Sequence, residues 1–525
     1  MINPEALPCG AGAIRSTPSV PACMRRRSWV LAAAVLGSTL AFVDTSIVNV
    51  ALPAIEGSLR TSLVAMQWVV NGYTLCLSAL LLLGGAAADQ LGRRLVFIVG
   101  VSIFAAASVG CGLAPDVEIL IAARVIQGAG AALLVPCSLA LIGAAFDEGD
   151  RGAAIGIWAG ASAIASGVAP LLGGWLVDHS SWRVIFLINP VVAAPTLWIT
   201  LRRVPESRNP NAPPGVDWRG ALLAVIGLGA LVYGLIASST LGWDQVLVIG
   251  SLSAGAILLF VFVLVERAGS APMMPLELFS SRRFSGINLL TLLLYGALGA
   301  AFFFLPFLLI QARGYSATAA GAAYLPFTLI VGVLSRWSGR LGEKLGARWP
   351  LIVGSVLTAA GFTLLGSGAG AYWITLAAMT VLGLGMGIVV APLTTTVINA
   401  VPSDRTGVAS GINNAVSSVG GLLAIAVLGS VALGVFDHSL DRALASMHAS
   451  AAVRATVDSA RGGLLVPPMP ASLSGPALEQ AHAIITGALA ATVRLIVWIA
   501  ALLALAAALT AALTIREHGR RPGDH

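Results

Sequence analysis

The sequence predicts an all-α polytopic membrane protein, on three observations. Of the 525 residues, 57% are hydrophobic and only 10% are charged, against about a quarter charged in an ordinary water-soluble domain. The apolar residues are gathered in runs that recur from Trp29 to Ile515, and a run of about 20 residues crosses a hydrocarbon layer of ~30 Å as a helix. No run alternates in the way a membrane barrel strand must, so helices are left as the way to satisfy every backbone N–H and C=O in lipid.

Read against glycine, proline and charge breakers, the runs give about fourteen spans. They fall near residues 29–51, 64–87, 95–114, 118–143, 152–176, 183–201, 218–239, 245–265, 285–310, 317–338, 350–369, 371–398, 407–434 and 492–515. The first run, Ser28 to Val50, follows Arg25-Arg26-Arg27 as a signal peptide follows its basic region. It is too long for that and lacks a small-residue cleavage pattern, so it is predicted to be a retained span. The segment before it is rich in Pro, Gly and Ala without periodicity and is expected to be disordered; Met24, beside the arginines, is a second candidate start of translation.

Orientation follows from the basic residues. With both termini cytoplasmic, Arg25 to Arg27, Arg93, Arg94, Arg151, Arg202, Arg203, Arg208, Arg219, Arg267, Arg282, Arg283, Arg340, Lys344, Arg348, Arg405, Arg516, Arg520 and Arg521 fall inside. Far fewer face out, chiefly Arg60, Arg183, Arg313, Arg442, Arg454 and Arg461. The formal charge of +7 therefore reads as one-sided membrane topology rather than as a nucleic-acid footprint. The five cysteines show no C-x-x-C spacing, which points to packing rather than to metal or disulfides.

An internal repeat organises the chain. Gly85-x-x-x-Asp89-x-x-Gly92-Arg93-Arg94 recurs as Gly339-x-x-x-Glu343-x-x-Gly346-Ala347-Arg348, and Pro136 and Asp150-Arg151 recur at nearly the same offset as Pro392 and Asp404-Arg405. Two matched halves are the result. The expected organisation is a cytoplasmic tail (1–27), a six-helix bundle (28–203), an inserted helix pair with linkers (204–283), a second six-helix bundle (284–515) with an external loop (436–484), and a cytoplasmic tail (516–525). The loop's Ala-rich pattern permits a short amphipathic helix.

The motifs then become specific. The Asp89 loop with Gly85, Gly92, Arg93 and Arg94 resembles the signature loop of the major facilitator superfamily, and Leu120-x-x-x-Arg124-x-x-Gln127-Gly128-x-Gly130 resembles its fourth-span motif. Gly167-x-x-Pro170-x-x-Gly173-Gly174 resembles the antiporter motif of the fifth span, with Ala169 where the pattern prefers glycine. Asp44-Thr45-x-Ile47-Val48-Asn49-Val50-Ala51-Leu52-Pro53, with Ser181-Trp182-Arg183 and Asn189-Pro190, is similar to the fourteen-span drug:proton antiporter family of multidrug efflux type. That resemblance covers nearly the whole chain from Trp29. It implies a major facilitator fold and a gating loop that latches the two halves when the carrier faces outward; Gln90 replaces the usual arginine after Asp89 and is expected to weaken that latch. It also implies export by alternating access, driven by the proton gradient without a cofactor.

Asp44 lies about fifteen residues into the first span, where an ionised carboxylate is costly unless paired or hydrated. It is the prime candidate to bind and release the coupling proton; an acid that only ties helices together is the other reading. Arg124, always charged, needs a carboxylate, carbonyls or water. It either biases the protonation of Asp44 or fixes packing.

The substrate path is expected between the halves near mid-membrane, with Trp68, Asn71, Tyr73, Trp158, Asn288, Tyr295, Tyr324, Asn399, Asn413 and Asn414 as lining candidates for small amphipathic molecules. The expected partners are thus substrate, protons and the lipid bilayer of the cell (inner) membrane, with a periplasmic adaptor left open. The alternative is a proton-linked carrier of a specific metabolite on the same fold. A membrane-embedded enzyme or sensor would need a catalytic constellation or a large extramembrane domain, and the absence of a P-loop motif disfavours ATP-driven pumping.

Overall fold

The computed structural model describes residues 22–208, 217–269, 272–367, 371–402, 405–446, 449–467, 470, 473 and 475–515. Of the N-terminal tail expected to be disordered, residues 1–21 lie outside them while Ala22–Arg27 instead form the first turns of a helix that runs on into the first span; Asp404 and the C-terminal tail also lie outside them, as do the side chains of Gly339 and Glu343.

Helices account for all regular secondary structure among the described residues. The first half contains α1 (Ala22–Leu59), α2 (Leu63–Leu91), α3 (Arg93–Leu113), α4 (Val117–Ala145), α5 (Glu148–His179) and α6 (Val184–Arg203). An inserted pair follows, α7 (Trp218–Leu241) and α8 (Val246–Ala268). The second half contains α9 (Arg282–Pro306), α10 (Ala317–Ala322), α11 (Leu325–Leu345), α12 (Arg348–Gly366), α13 (Tyr372–Ile398), α14 (Thr406–Ser446), α15 (Ala451–Asp458) and α16 (Pro476–Thr514). A π-helical turn, Phe307–Ala312, extends α9, and α10 with α11 forms one broken span. Among the described residues, fourteen helices are long and apolar enough to cross a membrane.

The ends of these helices follow local chemistry. Ser62, Asp116, Asp217 and Ser281 cap α2, α4, α7 and α9 by accepting from a backbone N–H three residues on, as short polar side chains do at a helix start. Gly92 (φ +122°) and Gly346 (φ +75°) stop α2 and α11 in backbone that only glycine adopts freely.

The repeat is visible atom by atom. Arg94, at the start of α3, donates to the Leu201 carbonyl near the end of α6 at 2.8 Å. Arg348, at the start of α12, donates to the Ala512 carbonyl near the end of α16 at 3.0 Å. The same arginine thus ties the third helix to the last in each half.

The inserted pair sits beside the junction of the halves. α7 packs on α2 and α14, with Ser430 Oγ donating to the Leu235 carbonyl and Trp68 against Tyr233 at 6.3 Å between ring centroids.

The two final spans depart from the expectation. Hydropathy placed them at 407–434 and 492–515, but α14 has 41 residues and α16 has 39. Each is about 60 Å long at 1.5 Å per residue, twice the hydrocarbon thickness. The flank that α16 adds before residue 492 is Ala-rich and a strong helix former; α14 and α16 pack on one another, and buried Phe436, Leu440 and Leu444 of α14 join Ala481, Ile484 and Ile485 of α16 in one core cluster. The expected loop 436–484 therefore contracts to residues 447–475 and carries the short helix α15.

Glycine sets the closest approach in the first half. A methyl group at Gly128 of α4 would overlap the Tyr73 carbonyl of α2, and one at Gly84 of α2 would overlap the Ala132 carbonyl of α4. Small residues of this kind let membrane helices meet backbone to backbone. Gly128→Val should force α2 and α4 apart and cost at least about 1–3 kcal/mol, read as a lower melting temperature of the detergent-purified protein.

Candidate functional site

Asp44, fully buried on α1, lies where four other helices converge. Its Oδ2 accepts a charge-assisted hydrogen bond from Arg124 Nη1 of α4. Its Oδ1 accepts from Gln127 Nε2 of α4 at 2.8 Å and from Asn189 Nδ2 of α6 at 3.1 Å. Arg124, 2% exposed, also donates to the Val69 carbonyl of α2 at 3.0 Å and to Gln127 Oε1 at 2.8 Å. Ser108 of α3 receives Asn189 at 2.9 Å and Gln127 at 3.3 Å, and donates to the Phe186 carbonyl at 2.9 Å.

Beneath Arg124 lies the Tyr73 ring, 4.3 Å from the guanidinium carbon, a cation–π contact. A buried carboxylate and a buried guanidinium are tolerable only when paired and saturated with hydrogen bonds, and this cluster meets that demand with side chains from α1, α2, α3, α4 and α6. Sequence reading brought Asp44 and Arg124 forward; Gln127 and Asn189 were visible only as motif letters, and Ser108 carried no signal. Tyr73 belongs here rather than free in the substrate path.

The other path candidates are distributed. Asn71 is fully buried with neither amide atom bonded, one helical turn from Gln67, which reaches the Ile425 carbonyl of α14 at 2.7 Å. Positions i and i+4 share a helix face, so Asn71 is turned toward the junction of the halves. Asn413 donates to Asn288 at 3.1 Å and to Thr291 at 2.8 Å inside the second half. Tyr324 donates to the Phe302 carbonyl at 3.0 Å, and Trp158 to Ser38 at 2.8 Å. Tyr295 is half-buried in the main core cluster, Trp68 packs against the inserted pair, and Asn399 and Asn414 are exposed.

The fifth-span motif makes the contact between halves. Methyl groups at Gly174 and at Gly321 of α10 would overlap the Ala317 and Pro170 carbonyls respectively, each on the opposite helix. Gly173 lies against Ile47 of α1, and Gly167 faces Thr328 of α11. Asp178, at the end of α5, completes the seal by accepting from the Ala317 N–H at 3.0 Å, the Thr318 N–H at 2.7 Å and the Thr318 hydroxyl at 2.5 Å. Sequence reading missed Asp178 because an acid at a helix end looks like a solvated charge.

Further along α5, Gly160, Gly156 and Gly152 continue the Gly167 face, and Gly332 continues the Thr328 face of α11; a Cβ at any of them meets nothing within 4 Å. Along α5 and the broken span of α10 and α11, the halves meet at the α10 end and part toward the Arg93 loop, while α2 and α14 stay in contact as far as Leu82 and Gly411.

That loop is held within its own half. Asp89 accepts from Arg93 Nη2 at 2.9 Å. Glu206, from beyond α6, accepts from the Arg94 and Leu95 amides at 3.0 and 3.1 Å and so caps α3. Gly92 leaves room for it, since a Cβ there would stand 2.8 Å from the Glu206 carboxylate.

Two helical halves that meet at one end, part at the other and bury a saturated charge pair in one of them define a polytopic membrane carrier. Residues 34–425 match the Major Facilitator Superfamily, and the chain belongs to that family of transporters. It is similar to the multidrug resistance protein Stp of Mycobacterium tuberculosis, 37% identical over 420 residues that cover 79% of this chain and 78% of that protein. The tetracenomycin C resistance and export protein of Streptomyces glaucescens is 34% identical over 414 residues, 77% of this chain and 76% of that one. In fold it is similar to a bacterial homolog of the human lysosomal transporter Spinster in an inward-facing, unoccupied conformation, with a TM-score of 0.64 and 19% identity over 94% of this chain and 98% of that chain.

Removing one member of a buried ion pair strands the other and typically costs about 3–5 kcal/mol. Arg124→Leu should destabilise the protein on that scale, and Asp44→Asn added to it should restore part of the loss, as a double-mutant cycle on melting temperature will show. Asp178→Asn should weaken the seal by about 1–2 kcal/mol, seen as faster thiol labelling of a cysteine introduced at buried Ala320 of α10.

Proposed function

We propose that the chain exports amphipathic drugs or other toxic small molecules in exchange for protons, by alternating access across the cell (inner) membrane with both termini cytoplasmic. The observation that carries this reading is the Asp44 carboxylate, buried in the first span and held by Arg124, Gln127 and Asn189. A proton on Asp44 would cancel its charge and leave Arg124 with Val69 and Gln127 as partners, loosening α1 from α4 when substrate leaves. With the Arg93 loop cytoplasmic, the described arrangement opens inward, which in this cycle is the arrangement from which the proton departs to the cytoplasm. The resistance and export functions named for the similar relatives support the direction and substrate class.

The energetics suit this cycle. One proton moving through 100 mV releases ~2.3 kcal/mol, and each decade of substrate gradient costs about 1.4 kcal/mol. Exchange of one proton for one neutral molecule sustains between one and two decades from voltage alone.

In a pump-deleted host, the wild-type chain should raise drug tolerance and dye efflux, and Asp44→Asn should abolish active efflux while leaving substrate binding measurable. Inside-out vesicles should accumulate the dye when their lumen is acidified. Unchanged proton-linked efflux in Asp44→Asn would remove Asp44 from the mechanism, and uptake in the opposite sense would make the protein an importer.

A further inference from the structure

A second acid is buried at the sealed end and takes no part in the Asp44 cluster. Glu56 lies on α1 twelve residues beyond Asp44, about 18 Å along the helix. It is fully buried, and neither carboxylate oxygen receives a hydrogen bond of normal geometry. The Leu464 amide approaches without completing one. A Cβ on Gly463 would stand 3.0 Å from Glu56 Oε1, so the chain at Gly463 and Leu464 forms the cover over this carboxyl.

The cover is part of the second half. Arg461, two residues before Gly463, pairs with Asp441 of α14 at 2.5 Å and with Asp458 of α15 at 3.0 Å. Two residues after Leu464, the Val466 amide donates to Gln311 of the turn that extends α9 at 3.3 Å. Glu56 belongs to the first half, so its burial depends on the contact between halves. If the α10 end opens, the anchored cover moves with the second half and Glu56 meets water.

The charges nearby are otherwise engaged. On the cover and α14, Arg461 is matched with Asp437, Asp441 and Asp458. Arg313, beyond α9, donates to Thr375, and Asp178 of α5 holds α10. Arg60, in the turn before α2, is exposed, and Asp44 is spent on its own cluster. None of these is hydrogen-bonded to or paired with Glu56 among the described residues.

We infer that Glu56 is a second proton-binding site of the carrier, whose protonation from the exterior is required for the α10 end to close. An ionised carboxylate sealed without a donor is strongly penalised, whereas a protonated one is far cheaper to enclose. In the open arrangement, water solvates the charge and the proton exchanges with the outside. This proton is taken up on closing and returned to the same side on opening, so it gates the cycle without being transported. The inference rests on the alternating-access reading and adds a second, external titration to it. Between the proton affinities of the open and closed states, the open-to-closed ratio changes by up to about tenfold per pH unit.

The test uses spin labels on the full chain in lipid nanodiscs, at Trp175→Cys on α5 and Trp373→Cys on α13. Both positions are exposed, at 49% and 68%. Distance distributions between the labels are recorded from pH 5 to pH 9. With Glu56 present, long, open-end distances should grow as pH rises. In Glu56→Gln the short, closed distance should persist at every pH, and Glu56→Ala, a second uncharged variant, should behave alike should the glutamine variant fold poorly. Asp44→Asn should keep the Glu56-dependent shift.

A pH shift that survives in Glu56→Gln and Glu56→Ala but vanishes in Asp44→Asn would overturn the inference, as would a chain with Glu56 intact whose distances ignore pH. Dye efflux measured in parallel separates this outcome from failure of the export reading, because the label distances report closure whether or not a drug is carried.

Discussion

Much of the first half is organised by one requirement: a carboxylate and a guanidinium placed inside a membrane protein must be matched completely. Asp44 and Arg124 meet this by drawing donors and acceptors from α1, α2, α3, α4 and α6. Each of these polar atoms would be expensive alone, so the helices that carry them are held in register by the cost of letting go. The same cost makes the cluster responsive. A single proton alters the charge balance of a network that touches five of the six helices in that half, and the packing above it has reason to change.

A second constraint acts between the halves. Where Gly174 and Gly321 meet, the helices come within backbone contact, and Asp178 adds hydrogen bonds to the start of α10. Contacts of this kind are short-ranged and are made or lost together, which suits a joint that closes or parts as a unit. On the same helix faces toward the Arg93 loop, a Cβ at Gly160, Gly156 or Gly332 would meet nothing within 4 Å. The tapering contact along one pair of faces gives the carrier a sealed end and an open end.

Much of this was legible in the residues. Each apolar run became a helix, because a span must satisfy its own backbone and the run length is set by bilayer thickness. The repeat read from Gly92-Arg93-Arg94 and Gly346-Ala347-Arg348 reappears as matched helix stops and matched arginine bonds. The last two spans were mis-sized because hydropathy detects contact with lipid, whereas α14 and α16 continue beyond it on flanks whose apolar residues are buried in the protein's own core. Glu206, Asp178 and Ser108 were not singled out, since an acid near a helix end and a serine in an apolar run each have an unremarkable local setting.

By itself, the sequence determined that the chain crosses a membrane about fourteen times, that its halves are related, and that Asp44 and Arg124 are costly charges needing partners. These are properties of composition, run length and spacing, which are local along the chain. Which groups satisfy those charges, which end of the bundle is closed, and why Glu56 is covered by a loop some four hundred residues away were decided only by tertiary structure. The physical reason is that hydrogen bonding, burial and helix approach depend on distances of a few ångströms between segments remote in sequence, and no pattern within one segment encodes them.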